Sequence, residues 1–343
     1  MTGQPILEAR GLEKHFEQRS GLTDLVLRRR ADTIHAVDKV DLALHKNESV
    51  AVIGESGCGK TTLLLTLMGL HSPSGGEIFF KGEPLSEFGR RDWKQYRSNV
   101  QVIFQDPFNS LDPKQNVREV LSEPLKIHGR DNREERLLDT LELVELEPPE
   151  AYLSRTPNQL SGGERQRVSI ARALVIDPEV LLADEPVSML DVSTQAAILN
   201  TLSNLVEELD LSLLYISHDL STVSYVCQTI NVMYLGRVIE SAPTAELLEE
   251  PHHPYAQALI NAVPIPDPHH HRERTRLSGA PGNPVNLGDG CRFRDRCPER
   301  MDICDVTPEY RSIEGSHKVA CHLYYDHEID GNKRRNPEVT DLS

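Results

Sequence analysis

No apolar run in this sequence approaches the roughly 18 to 20 residues that a membrane-spanning helix needs. The longest, such as "SVAVIG", "EVLLA" and "LSLLYI", stop after a handful of positions. The opening "MTGQPILEARG" also lacks the basic stretch and apolar core of a secretion signal, so the chain reads as soluble and intracellular. Basic residues are scarce too: 37 Lys and Arg face 53 Asp and Glu, a net charge of -16. A surface of that sign repels the phosphates a nucleic-acid binder must neutralise, so no nucleic-acid partner is expected. The cations are 27 Arg and 10 Lys, a skew that either a salt-rich cytoplasm or plain genome composition produces. Cysteine is sparse, six in 343 residues, and inside a cell those six are metal ligands, reactive thiols or core residues before they are disulfides. A chain of this length needs no staples; it can form one large domain with appendages or two ordinary ones.

What is present is an alternation of short β-branched runs and longer helical periods. It predicts strands near 40–44, 49–54, 77–80, 100–105, 179–184, 212–217 and 230–235, and helices near 60–69, 133–146, 162–175 and 194–209. That order specifies an α/β domain. After about Val263, "PIPDPHHHRERTRLSGAPGNP" has neither period and reads as a linker, and "DGNKRRNPEVTDLS" reads as a disordered tail.

"AVIGESGCGKTTLLLTLMGL" holds the pattern G-x-x-x-x-G-K-[ST] at Gly54, Gly59, Lys60 and Thr61, directly after one predicted strand and before an apolar helix. Glycines let such a loop curl its N–H groups toward phosphate oxygens, Lys60 reaches the β- and γ-phosphates, and Thr61 offers a hydroxyl to Mg²⁺. The loop Gly54, Glu55, Ser56, Gly57, Cys58, Gly59, Lys60, Thr61 and Thr62 is the expected nucleotide cradle, with no chemistry assigned to the Cys58 thiol. Further on, the apolar strand in "EVLLADEP" delivers Asp184 and Glu185 at its C-terminal end. Asp184 is placed to hold the second side of Mg²⁺, directly or through water, and Glu185 to polarise the attacking water as general base. "LSGGERQRVSIARAL" opens a helix with Ser161 and Glu164 as a capping box. Such a box needs no paired glycines; Gly162 and Gly163 leave the first N–H groups approachable, which makes a second anion site.

Taken together, "GESGCGKTT", "LSGGERQ", "LLADEP", "SMLD" at Ser188–Asp191 and "ISHD" around His218 resemble the ordered motif set of ABC-transporter ATPases over roughly residues 5 to 265. The resemblance implies a P-loop ABC ATPase domain over 1–265, with an antiparallel β-subdomain and a helical subdomain at about 106–160 that docks membrane subunits. It implies that Phe16 stacks on adenine, that Gln105 is the Q-loop glutamine and a Mg²⁺ ligand, and that His218 contacts the γ-phosphate. It also implies that Ser161, Gly162 and Gly163 face the ATP of a second ABC ATPase subunit, self or paralogue, with two ATPs in a head-to-tail dimer. Met189 departs from the pattern, which usually has a small residue there. The insertion "EQRSGLTDLVLRRRADTIHAV" and "PHHPYAQALINAVP" resemble the oligopeptide/dipeptide importer ATPases, and "GESGCGK" with "FQDPFNSLDP" is similar to the second of their paired ATPase subunits.

The implied role is to hydrolyse ATP at the cytoplasmic face of the membrane, as a peripheral partner of two permease subunits and, indirectly, of an extracellular substrate-binding protein. Peptides are the expected cargo, with nickel or oligosaccharide as the alternative. A soluble DNA-repair type of ABC ATPase is the rival from another class, but it needs a coiled coil or zinc insertion between Thr62 and Leu160, and neither heptads nor metal motifs occur there.

Cys291, Cys297, Cys304 and Cys321, spaced by five, six and sixteen residues, lack both the C-x₂-C knuckles of structural zinc and the ferredoxin runs. So small a core needs a reason for four thiols to converge, and a metal supplies folding energy. Family likeness favours a [4Fe-4S] cluster, with zinc second and free or disulfide-paired thiols as the plain alternative. The expected layout is a linker at 266–290, a four-cysteine appendage at 291–325 folded against the ATPase core but distant from the chemistry, and a disordered tail at 326–343.

Overall fold

A computed structural model describes residues 3–18, 32–131, 134–262, 282–325, 327–329 and 332–334. Residues 19–31 of the insertion and 266–281 of the expected linker lie outside the described residues.

Two sheets share the core. The first is antiparallel, ordered β2 (Asp32–Leu44), β1 (Leu7–Gln18), β4 (Gly75–Phe80), β5 (Glu83–Pro84), with β3 (Ser49–Ile53) passing into the second sheet. That second sheet carries five parallel strands in the order β9 (Thr229–Tyr234), β3, β8 (Ser212–Ser217), β7 (Val180–Asp184), β6 (Val100–Ile103). Its central strands are buried on both faces, so their sequences are continuous apolar runs, yet the two-residue period still sorts the side chains. Ala51, Ile53, Leu181, Ala183, Leu213 and Tyr215 pack on one side, with the helices Gly162–Leu174 and Val192–Glu208; Val50, Val52, Leu182, Leu214 and Ile216 pack on the other, with the helix Lys60–Leu67 and the first sheet. Fully burying each large aliphatic contributes about 1.5–3 kcal/mol.

Because β3, β6, β7 and β8 are parallel, their C-terminal ends share one edge, where ligands collect in open α/β sheets. This edge receives the loop after Ile53, Gln105 after β6, Asp184 and Glu185 at the end of β7, and His218 after β8.

Several elements escape the periodicities. β1 bulges at three places, which breaks its alternation. The helix Arg90–Asn99 is almost wholly charged or polar and is anchored by Trp93 and Tyr96 in an aromatic group with Phe88. The helix Val117–His128 contains Pro124, which reads as a breaker, but it is well ended: Asn116 accepts from Glu119 N (2.9 Å), Asn116 N donates back to Glu119 (2.9 Å), and Gly129 closes it at φ 68°.

The C-terminal segment also departs from expectation. Residues 282–290 do not behave as a linker: His35 N donates to Pro284 O (3.0 Å), Ile34 bridges Val285, and Thr33 N donates to the Asn286 side chain (2.9 Å), all along β2. The cysteine region does lie against the ATPase core, as expected, and it extends the core sheet. Two further strands, β11 (Arg311–Glu314) and β12 (His317–Val319), follow β10 (Arg237–Pro243) as the antiparallel margin of the second sheet, with Glu240 opposite Val319 and Ser241 opposite Lys318. In the tail, His327–Ile329 and Asn332–Arg334 pair as a ribbon, and the rest lies outside the described residues.

Candidate functional site

The loop after β3 is fixed by contacts that only glycine permits. Gly59 sits at φ 111°, and a Cβ there would lie 1.9 Å from Ala36 O; at Gly54 it would lie 2.2 Å from Met233 O. The loop therefore nests against the backbone of both sheets. Lys60 starts the following helix, is 6% exposed, and donates through Nζ to Gly54 O (2.7 Å) and Glu55 O (3.1 Å). Around it opens a cleft of 430 Å³ lined by Phe16, Ile34, Ala36, Ser56, Gly57, Gly59, Lys60, Thr61, Thr62, Gln105, Glu185 and Pro284. Phe16 meets His71 edge-on at 5.5 Å and has Lys14 Nζ 5.0 Å from its centroid.

Cys58 and Glu55 are among the loop residues outside the cleft lining. Cys58 is 4% exposed in the core, where burial raises its pKa. Glu55 does not line the cleft; its carboxylate is taken by Arg296.

Thr61 Oγ1 donates to Asp184 Oδ1 at 3.4 Å, and burial pushes the Asp184 carboxyl above its ordinary range despite that bond. A buried acid left short of positive charge beside a helix-start hydroxyl suits a hard divalent cation, so the pair fits Mg²⁺. Gln105 is not part of that pair: its Nε2 donates to Glu185 Oε2 (3.0 Å) and to Ser188 Oγ (3.4 Å). His218 Nδ1 lies 2.8 Å from Glu185 Oε1. The Glu185 carboxylate is thus held between an amide and an imidazole at the mouth of the cleft. Its backbone adopts φ 46°, a conformation that costs on the order of 1 kcal/mol for a side-chain-bearing residue; the bond from Glu185 N to Ile216 O (2.8 Å) holds it there.

Ser161, Gly162 and Gly163 line a second cleft, also 430 Å³, which shares no residue with the first and is bounded by Met189, Leu190 and Asp191. The capping box forms as expected, with Ser161 N donating to Glu164 Oε2 (2.7 Å) and Glu164 N to Ser161 Oγ (3.3 Å). Gly163 has a packing role as well, since a Cβ would fall 2.6 Å from Thr194 Cγ2. Met189 is 56% exposed at this rim.

All four C-terminal cysteines carry free thiols. Cys291 N donates to Cys304 O (2.8 Å), and burial, reinforced by the neighbouring thiols, pushes Cys291 to about 11 and Cys321 to about 12. Each backbone hydrogen bond to these sulfurs works in the opposite direction. The other three thiols each act on Cys321; among the described residues, the groups of three or more with ligand atoms within 4.8 Å of one another are His15/His35/Asp38 and Glu240/His252/His317.

The expected distance between this segment and the chemistry is not what the structure shows. Arg292 pairs with Asp38 beside the Leu235 carbonyl, burial and the nearby Arg237 pulling its pKa down to about 10. Phe293 is 1% exposed among Tyr234, Tyr255 and His253. The Tyr255 hydroxyl accepts from Glu55 N at 2.8 Å. Tyr255, Pro284 and Arg296 are the site residues that sequence patterns missed, and no local spacing marks them, because each reaches the loop across the fold.

Profiles of two families match the chain: "ABC transporter" over residues 37–188 and "Oligopeptide/dipeptide transporter, C-terminal region" over residues 239–304. The oligopeptide transport ATP-binding protein AppF of Bacillus subtilis is 42% identical over 328 residues, covering 94% of this chain and 98% of AppF. The dipeptide transport ATP-binding protein DppF of Escherichia coli is 39% identical over 321 residues, covering 93% and 94%. Among solved structures, the dimeric bacterial ABC transporter cassette MJ0796 superposes with a TM-score of 0.60 at 27% identity, covering 69% of this chain and 98% of that one; the same cassette is also known bound to ADP and Pi in a post-hydrolysis state. With this fold, this constellation and relatives of this identity along nearly its whole length, the chain belongs to the ABC-transporter ATP-binding proteins, in the oligopeptide/dipeptide branch.

Proposed function

We propose that the chain is the ATP-hydrolysing subunit of a peptide importer, acting on the membrane from the cytoplasmic side. No helix among the described residues is long and apolar enough to cross a bilayer, which suits a peripheral subunit that drives separate permeases. Phe16 receives the adenine, the loop N–H groups and Lys60 hold the phosphates, and Thr61 with Asp184 would hold Mg²⁺. The ion would supply neutralisation of phosphate charge. Glu185 accepts the proton of the attacking water, Gln105 orients the Glu185 carboxylate, and His218 turns from Glu185 toward the γ-phosphate.

The observation that carries this reading is the Glu185 carboxylate held by Gln105 and His218 at the mouth of the P-loop cleft, with Ser161, Gly162 and Gly163 in a separate cleft. A signature in its own cleft completes the site of a second subunit, self or paralogue. ATPase activity should therefore rise more steeply than first order with protein concentration, and rise again when permeases and a peptide-loaded binding protein are reconstituted. Linear activity from a demonstrated monomer would refute the shared site, and stimulation by nickel or oligosaccharide instead of peptide would refute the cargo.

The four thiols we assign to a [4Fe-4S] cluster, a reading supported by their freedom from disulfides and by the influence of the other three on Cys321. Protein purified without oxygen should be brown, with iron–thiolate absorption near ~400 nm that Cys297→Ser abolishes. Colourless protein without iron would rule the cluster out.

A further inference from the structure

Arg296 stands between Cys291 and Cys297 in sequence, yet its guanidinium grips the phosphate-binding loop. Nη1 lies 2.7 Å from Glu55 Oε2 and Nη2 lies 2.9 Å from Glu55 Oε1, a two-pronged pair with the arginine side chain only 8% exposed. Nη1 also approaches the Tyr234 hydroxyl (3.4 Å), and the group lies 5.8 Å from the Tyr234 and Phe293 ring centroids. Glu55 is thereby held on three sides: its carboxylate by Arg296, its N–H by Tyr255, and its carbonyl by Lys60 Nζ at 3.1 Å. Two of those three holds come from residues beyond β10, and the third is the side chain that must meet the phosphates. A paired arginine fork fixes direction as well as distance, so it sets where the loop N–H groups point.

We infer that Arg296 is a positioning residue of the nucleotide site, which makes the cysteine-bearing segment a support of the phosphate-binding loop through Glu55. This inference rests on nucleotide binding at the P-loop. It does not require Arg296 to touch the nucleotide, and it concerns the loop's shape before the nucleotide arrives. The segment needs no other route to the site: Arg292 and Phe293 anchor it beside Asp38 and Tyr234, and Arg296 then reaches across to the loop.

The test is equilibrium binding of a fluorescent ATP analogue with Mg²⁺ to the full chain, alongside thermal unfolding without nucleotide. Arg296→Gln should weaken binding about tenfold, within the range of couplings between distinct sites, while far-ultraviolet circular dichroism stays that of wild type. Glu55→Gln should weaken it to a similar extent, and the double variant should be no worse than either single one, because both remove the same hold. Arg296→Lys, which keeps the charge and loses the fork, should fall between wild type and Arg296→Gln. If Arg296→Gln does not fold, Glu55→Gln decides alone, since Arg292 and Phe293 remain to seat the segment. Wild-type affinity in a folded Arg296→Gln, or in Glu55→Gln, overturns the inference, as do fully additive losses. Failure of the wild-type chain itself to bind the analogue would instead refute nucleotide binding at the P-loop.

Discussion

Replacing Glu185 by glutamine separates binding from chemistry in this site. The carboxylate makes two contacts, Oε2 accepting from Gln105 Nε2 (3.0 Å) and Oε1 facing His218 Nδ1 (2.8 Å). An amide of the same shape satisfies both: its oxygen accepts from Gln105, and its NH₂ donates to Nδ1 when the imidazole carries its proton on Nε2. The structural cost is then within about 1 kcal/mol, the net worth of one neutral hydrogen bond. The chemical cost is larger. An amide takes no proton from water, and a positioned general base contributes about 10²–10⁴-fold, or about 3–5 kcal/mol of barrier. Single-turnover hydrolysis in the assembled transporter should slow by that factor while the Kd for Mg-ATP stays within about twofold, so that a closed dimer accumulates. Hydrolysis at the wild-type rate would remove Glu185 from the base role; a Kd weakened as much as the rate would mean that Glu185 binds nucleotide instead.

Lys60→Ala leaves the Gly54 and Glu55 carbonyls without their buried donor and should weaken nucleotide binding by about 2–5 kcal/mol; titration calorimetry showing near-normal affinity would contradict the loop assignment. Asp184 has its folded pKa raised by burial, so the folded chain holds a proton that the unfolded chain releases. Stability therefore falls as pH rises through that window, and the deficit is complete above it. Asp184→Asn should raise the nucleotide-free Tm at neutral pH and abolish Mg²⁺-dependent hydrolysis, and a lowered Tm would count against the buried-charge account. His253 shows the reverse sign: burial pulls it from 6.5 to about 3, with Nδ1 accepting from Tyr255 N at 3.0 Å. The unfolded chain takes up that proton first, so stability is complete above about 6.5 and declines as pH falls toward 3, by at most about 1.4 kcal/mol per unit. His253→Asn keeps a helix-capping acceptor and should flatten that limb in urea unfolding; an unchanged limb would assign it to other groups.

Local chemistry was enough to read the cradle, the capping box and the apolar strands from sequence. Each is a contiguous device: the glycines, lysine and threonine of one loop, Ser161 with Glu164 three residues on, and strands such as Val180–Asp184 whose every residue is buried. The apolar strand before them also identified Asp184 and Glu185 as strand-end groups, and the family resemblance added His218; parallel strands deliver all three to one edge. Spacing did not reach elements whose stability is tertiary: the bulged Leu7–Gln18, the charged Arg90–Asn99 anchored by aromatic rings, and Val117–His128, whose caps outweigh its proline. The C-terminal segment marks the limit most sharply. Its cysteines announced themselves, but a sequence of arginines in an acidic chain reads as solvated surface. Only the folded chain puts Arg292 against Asp38 and Arg296 against Glu55, across separations of 254 and 241 residues. Such pairs form because burial leaves each guanidinium no water to turn to, and partners chosen that way leave no period in the sequence.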